Sequence, residues 1–154
     1  MTNQPDATRC LLAALLLWAW LASPVAADGL PTTTLEVGGQ VLDVEVAADP
    51  ASKQRGLMYR EHLADNGGML FVWEYSGLRA MWMKNTRIPL DVAFVNRHYV
   101  ITNIETMEPE TETLHRSHRP VRFALETNAG WFERHGIRPG DRIPDIGRAL
   151  ERIH

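Results

Sequence analysis

From Leu35 to Val46 the chain changes between apolar and polar side chains at almost every step, around a glycine pair. Leu35-Glu36-Val37 precedes Gly38-Gly39, and Gln40-Val41-Leu42-Asp43-Val44-Glu45-Val46 follows it. A period of two is that of a half-buried strand, and Gly-Gly suits a tight hairpin turn. Asp49-Pro50 then reads as a helix start, with Asp49 as N-cap and Pro50 in the first turn. This predicts a short helix over Ala51 to Leu57, with a second turn reaching toward Leu63. Compact apolar runs predict further strands at Met69–Trp73, Leu78–Met83, Leu90–Val95, Tyr99–Met107 and Val121–Glu126. Pro109 to Pro120 reads as polar loop, Trp131–His135 as a brief helix, and Ile137–Ile143 as a strand turned at its centre. The tail from Pro144 reads as short and polar. Many short strands separated by turn signals, with little helix, predict a mostly β fold: a small antiparallel β-barrel or sandwich with one or two short helices. No internal repeat or linker divides the chain.

The first 27 residues follow a different pattern. Arg9 precedes an apolar run from Leu11 to Ala22, and Ser23-Pro24-Val25-Ala26-Ala27 ends it before Asp28. A basic residue, a short apolar stretch and small residues at the end describe a secretory signal peptide with cleavage after Ala27. The alternative is an N-terminal membrane anchor, but a span needs about 20 apolar residues and Pro24 breaks this run early. The expected product is one exported globular domain, residues 28–154, periplasmic or secreted, with no stable membrane span once cleaved. The single cysteine, Cys10, leaves with the signal, so the mature chain would have no disulfide, thiolate nucleophile or cysteine–metal site. A formal charge of −3 over 154 residues gives no pull toward nucleic acid or anionic membrane.

Most of the candidate chemistry lies in Ala80-Met81-Trp82-Met83-Lys84-Asn85-Thr86-Arg87-Ile88-Pro89-Leu90-Asp91. Alternation places Ala80, Trp82 and Lys84 on one face and Met81, Met83 and Asn85 on the other. After the turn, Leu90, Val92 and Phe94 oppose Asp91, Ala93 and Val95. If the two strands pair about Thr86–Pro89, Lys84 and Asp91 come together beside Trp82. Such a pair is either a structural ion pair that sets register, or a ligand-facing or catalytic lysine whose acidity is altered by burial.

This run and four others make the chain resemble the domain of unknown function 192 family, small secreted or membrane-anchored proteins of bacteria and archaea. The resemblance rests on Arg55-Gly56-Leu57-Met58-Tyr59-Arg60, Gly68-Met69-Leu70-Phe71, Trp82-Met83-Lys84-Asn85-Thr86, Ile88-Pro89-Leu90-Asp91, Glu126 with Asn128-Ala129-Gly130, and Gly140-Asp141. It departs from the family pattern at Met81 and within His115-Arg116-Ser117-His118-Arg119-Pro120. The resemblance implies a compact β-rich fold and no established activity, cofactor or catalytic residue.

Other candidates have bland alternatives. Arg55 could hold a carboxylate or phosphate through two parallel hydrogen bonds, or an internal acid such as Glu126 or Asp91. His115 and His118 lie near Glu108, Glu110 and Glu112, but Arg116 and Arg119 oppose a cation and no third ligand is set by spacing, so no metal is expected. Ser117 lacks a nucleophile elbow. Trp73, Trp82 and Trp131 suit either a groove or core packing. The expectation is a non-enzymatic exported module, without cofactor, that binds a small ligand or an envelope protein. The ligand-binding candidates are Arg55, Trp82, Lys84, Asn85, Asp91 and Glu126. The alternative is a small cell-envelope hydrolase or transferase with Lys84, Asp91 or Glu126 as acid or base. N-terminal sequencing of the exported protein is expected to read from Asp28; a chain starting at Met1 or Thr2 would refute cleavage after Ala27.

Overall fold

The computed structural model describes residues 29–153, so the expected signal peptide, residues 1–27, lies outside the described part. The hairpin forms as its alternation requires. Strands β1 (Thr32–Val37) and β2 (Gln40–Ala47) pair antiparallel, with Val37 opposite Gln40. Gly38 and Gly39 both take positive φ, 58° and 79°, which the turn demands and which side chains resist. Helix α1 (Pro50–Arg55) starts where the cap predicts: Asp49 Oδ1 accepts the backbone N–H of Ala51 at 2.9 Å and of Ser52 at 3.0 Å. It ends at Gly56 rather than continuing toward Leu63.

Strand β3 (Gly67–Gly77) returns parallel to β2, the exception to the antiparallel pairing expected. Strands β5 (Leu90–Val95), β6 (Ile101–Met107) and β8 (Val121–Asn128) complete a six-stranded sheet in the order β1-β2-β3-β8-β5-β6. Two short strands, β4 (Ala80–Met81) and β7 (His115–Arg116), pair separately. The fold is mostly β and sandwich-like; the mixed sheet is open, because its ends β1 and β6 do not pair.

Both faces of the sheet are covered. The alternation read along residues 90–95 holds. Leu90, Val92 and Phe94 join Met69, Phe71 and Ala124 in one core, closed over by Leu57, Met83 and Ile88. Ala93 and Val95 join Leu42, Leu70 and Leu125 in the other, closed over by helix α2 (Trp131–Arg134) and helix α3 (Asp145–Arg152). Strand β5 is therefore buried at all six positions.

Three local expectations fail for identifiable reasons. The segment Leu78–Met83 is strand only at Ala80–Met81 and pairs with β7, because β5 is already flanked by β6 and β8. Ile137–Ile143 forms a turn with one isolated bridge, Val100–Arg142, and Asp141 Oδ2 accepts Arg138 N–H at 2.8 Å across it. The tail is not simply polar. Ile146, Ala149 and Leu150 recur at helical spacing on α3, which packs on the edge strand β1. Asp145 Oδ2 accepts Glu36 N–H at 3.0 Å and Arg152 donates to the Thr34 carbonyl at 2.6 Å, so α3 also blunts that exposed edge.

Gly68 sits where β3 meets β8, and a Cβ there would lie 2.6 Å from the Glu126 carbonyl oxygen. Gly68→Ala is therefore expected to destabilise the protein by about 1–3 kcal/mol, measured by denaturant unfolding. Unchanged stability would show that the two central strands can part without cost.

Candidate functional site

Two sequence runs frame one groove. Beyond α1, Gly56 has φ 48°, and a Cβ on it would press to 3.3 Å from the Phe71 ring. Glycine lets the chain reverse tightly over that aromatic floor. Tyr59 and Asn85 are both left-handed, with φ 64° and 55°. They hold one another: Tyr59 N–H donates to the Asn85 carbonyl at 2.8 Å, and the Asn85 amide donates to the Tyr59 hydroxyl at 3.0 Å. Each such non-glycine conformation costs on the order of 1 kcal/mol and persists only where surrounding contacts enforce it. The loop carrying Asn85 is pinned from below. Met83 is buried, its N–H donates to the Thr111 carbonyl at 3.0 Å, and Thr86 N–H donates back to the Met83 carbonyl at 3.0 Å. Trp82 and Lys84, on either side of Met83, are held outward.

Between these segments lies a cavity of about 240 Å³. Its buried part includes Leu57, Phe71 and Glu126; its exposed margin includes Arg55 and Trp82. Glu126 lies on β8 between Met69 of β3 and Val92 of β5. Both neighbours are apolar, and burial alone pushes its carboxyl up to about 8. At neutral pH Glu126 is therefore un-ionised and offers an O–H donor inside the cavity. Among the described residues, Arg55 forms no side-chain hydrogen bond or ion pair. Lys53, also in the lining, is occupied: its ammonium donates to the Val72 carbonyl at 3.0 Å and to the Ala48 carbonyl.

A shallower concavity of about 430 Å³ adjoins the first and shares Arg55, Met58 and Trp82 with it. Lys84, Asn85 and Tyr59 complete it. The Lys84 ammonium lies 5.3 Å from the Trp82 ring centroid and 3.4 Å from Glu112, an exposed ion pair of little energetic weight.

The fold thus gathers Arg55, Trp82, Lys84, Asn85 and Glu126 around adjoining concavities. It does not bring Asp91 there. Asp91 alternates with Val92 and so points through the opposite face of the sheet, where its carboxylate accepts Thr106 Oγ1 and Gly130 N–H, each at 2.8 Å. The pairing of Lys84 with Asp91 does not form, because residues 80–81 pair with β7 and not with β5. Nor does Arg55 pair with either acid; Arg60 instead binds Glu45 at 2.7 Å. Trp131 is core, its indole N–H donating to Asn66 Oδ1 at 3.3 Å. Trp73 is half-buried, stacked on Phe71 at 6.2 Å, and lines the cavity. His118 lies 3.6 Å from Glu105, and no group of three metal-ligating side chains converges among the described residues. Ser117 Oγ accepts Arg79 N–H at 2.9 Å. Sequence reasoning missed Lys53, Met58 and Phe71 as lining residues, since nothing local separates them from ordinary core or helix positions.

Comparison with known proteins is consistent in fold and silent on activity. The family model of DUF192, described as an uncharacterized ACR, matches residues 33–144. A crystal structure from Sinorhizobium meliloti 1021, of a protein called a candidate transcription regulator, shares 40% identity with a TM-score of 0.66, covering 72% of this chain and 88% of that one. A protein of unknown function from Novosphingobium aromaticivorans DSM 12444 shares 36% identity with a TM-score of 0.69, covering 76% and 87%. No curated protein matches the chain.

The buried carboxyl makes stability depend on pH. In the fold Glu126 keeps its proton up to about pH 8, whereas its unperturbed value is 4.5. Between these values the native state binds more protons than the unfolded chain, so stability falls as pH rises from about 4.5 to 8 and levels off above. The expected loss is on the order of a few kcal/mol. Glu126→Gln should remove that slope in a series of denaturation curves; an unchanged slope would place its origin elsewhere.

Proposed function

The chain belongs to the DUF192 family, and from that premise we propose that it is an exported, non-enzymatic module that binds a small ligand in the groove between Arg55–Tyr59 and Trp82–Asn85. The observation that carries this reading is Glu126, an acid on a central strand with its carboxyl lining an open cavity and, among the described residues, with no protein hydrogen bond to repay its burial. Such a group costs stability and, facing an open cavity, is free to hydrogen-bond a ligand. The margin has the matching property: a guanidinium exposed and without a partner among the described residues, beside an exposed tryptophan, the side chains that dominate binding centres. The Tyr59–Asn85 clasp holds that margin in one conformation, which lowers the entropy cost of binding. Export is supported by the pattern of Arg9, the apolar run Leu11–Ala22 and the small residues ending at Ala27. Among the described residues no helix is long and apolar enough to cross a membrane.

A second reading, a small envelope hydrolase or transferase, draws on the same carboxyl. A carboxylic acid that titrates near 8 suits a general acid at neutral pH. The cavity lining, however, supplies no second carboxylate, and its Thr86 hydroxyl is turned to the Lys84 carbonyl at 3.4 Å. Asp91 lies through the sheet and Lys84 stands at the outer concavity, so neither can act jointly with Glu126 as in a two-group acid–base site.

In a thermal-shift screen against envelope metabolites, peptides and glycans, hits are expected to lose roughly tenfold or more in affinity in Arg55→Ala, the worth of a charge-assisted hydrogen bond. Lys84→Ala is expected to fold and to weaken those hits less. Variants that fail to fold would make these side chains structural, and folded variants that bind as wild type does would remove them from the binding site.

A further inference from the structure

Building on the binding reading above, we propose that the inner cavity takes a single-ring aromatic carboxylate, with its ring against Trp82 and its carboxylate on Arg55. Three observations converge on that class.

The first is charge. From α1, Lys53 and Arg55 face the cavity; from β8, only Glu126; from β3, Phe71 and Trp73; from the 80–86 loop, Ala80, Met81, Trp82 and Thr86. The cross-strand neighbours of Glu126 on β3 and β5, Met69 and Val92, carry no charge. Among the described residues Glu126 is thus the sole acid in the lining, and it is un-ionised at neutral pH. A cationic ligand would meet two cations and no anion. An anionic one meets a guanidinium whose forked donors match a carboxylate.

The second is surface. Trp82 is 40% exposed although the loop that carries it is rigidly held. Trp73 is half-buried, stacked on Phe71 and with the Arg79 guanidinium 4.9 Å from its ring centroid, so its ring is already engaged by protein groups and Trp82 is the freer aromatic surface. Planar aromatic and thioether side chains on several sides favour a flat ring over a branched or heavily hydroxylated body.

The third is size and depth. At about 240 Å³ the cavity falls just under the roughly 300 Å³ at which sites for drug-sized ligands begin, enough for one ring and its substituent. Glu126, at the buried part, offers an O–H to any acceptor on that ring. Once it ionises it repels the ligand's own charge in a water-poor space.

The test is calorimetric titration of the intact chain with three single-ring molecules of similar size and different charge: benzoate, benzamide and benzylamine. Benzoate is expected to bind at least tenfold more tightly than benzamide at pH 7, with no detectable heat from benzylamine. Arg55→Ala should abolish the benzoate preference. Raising the pH from 7 to 9 should weaken benzoate about tenfold, because only the protonated tenth of Glu126 remains competent one unit above its midpoint, and Glu126→Gln should bind benzoate equally at both. Equal or tighter binding of benzamide or benzylamine overturns the carboxylate class while leaving a ligand-binding module intact. So does failure of all three when the broader screen yields another ligand. Failure of both the triad and the broader screen overturns the binding reading itself.

Discussion

Strands β8 and β5 lie inside a sheet that is covered on both faces, and this double burial governs the rest of the molecule. Any polar side chain on these strands must find a partner from a neighbouring segment or remain at a cost. Asp91 finds two, the Thr106 hydroxyl and the Gly130 amide, and thereby ties the start of β5 to β6 and to the approach of α2. Glu126, one strand over and on the other face, finds none among the described residues, and keeps its proton instead. Two acids in nearly the same layer of the sheet are thus put to opposite uses by the segment that covers each. One is a bracket; the other lines a cavity.

What covers Glu126 is assembled from distant parts of the chain. The turn after α1 and the loop after β4 are brought together by main-chain and side-chain bonds between two left-handed residues, Tyr59 and Asn85. The contact spends conformational energy at two positions, which makes sense where a fixed rim matters more than local stability. Met83 anchors the loop in the core, so Trp82 and Lys84 are presented outward with little freedom. The groove's shape follows from packing beneath it.

Much of the fold was legible from patterning alone. Alternation along residues 40–46 and 90–95, the Gly38-Gly39 turn and the Asp49-Pro50 cap each act through neighbours within a few residues, and each appears as read. The runs around Arg55, Trp82 and Glu126 were also visible as unusual mixtures of residue types. The misreadings are equally specific. Lys84 and Asp91 are seven positions apart and look like facing arms of a hairpin, yet β5 takes β6 and β8 as neighbours and leaves residues 80–81 to β7. Helix α3 had a legible spacing at Ile146, Ala149 and Leu150, but its partner is the edge of β1, more than a hundred residues away.

The sequence by itself determined the first hairpin, the cap of α1, the alternation of β5, the family resemblance and which side chains carry unusual chemistry, because propensity, capping and alternation are short-range effects. Only the tertiary structure decided that Glu126 shares a cavity with Arg55 while Asp91 belongs to the far side. That outcome depends on strand order and on which loop closes over which face. Both are settled by burying the two faces of the sheet together, and no local stretch of sequence encodes that.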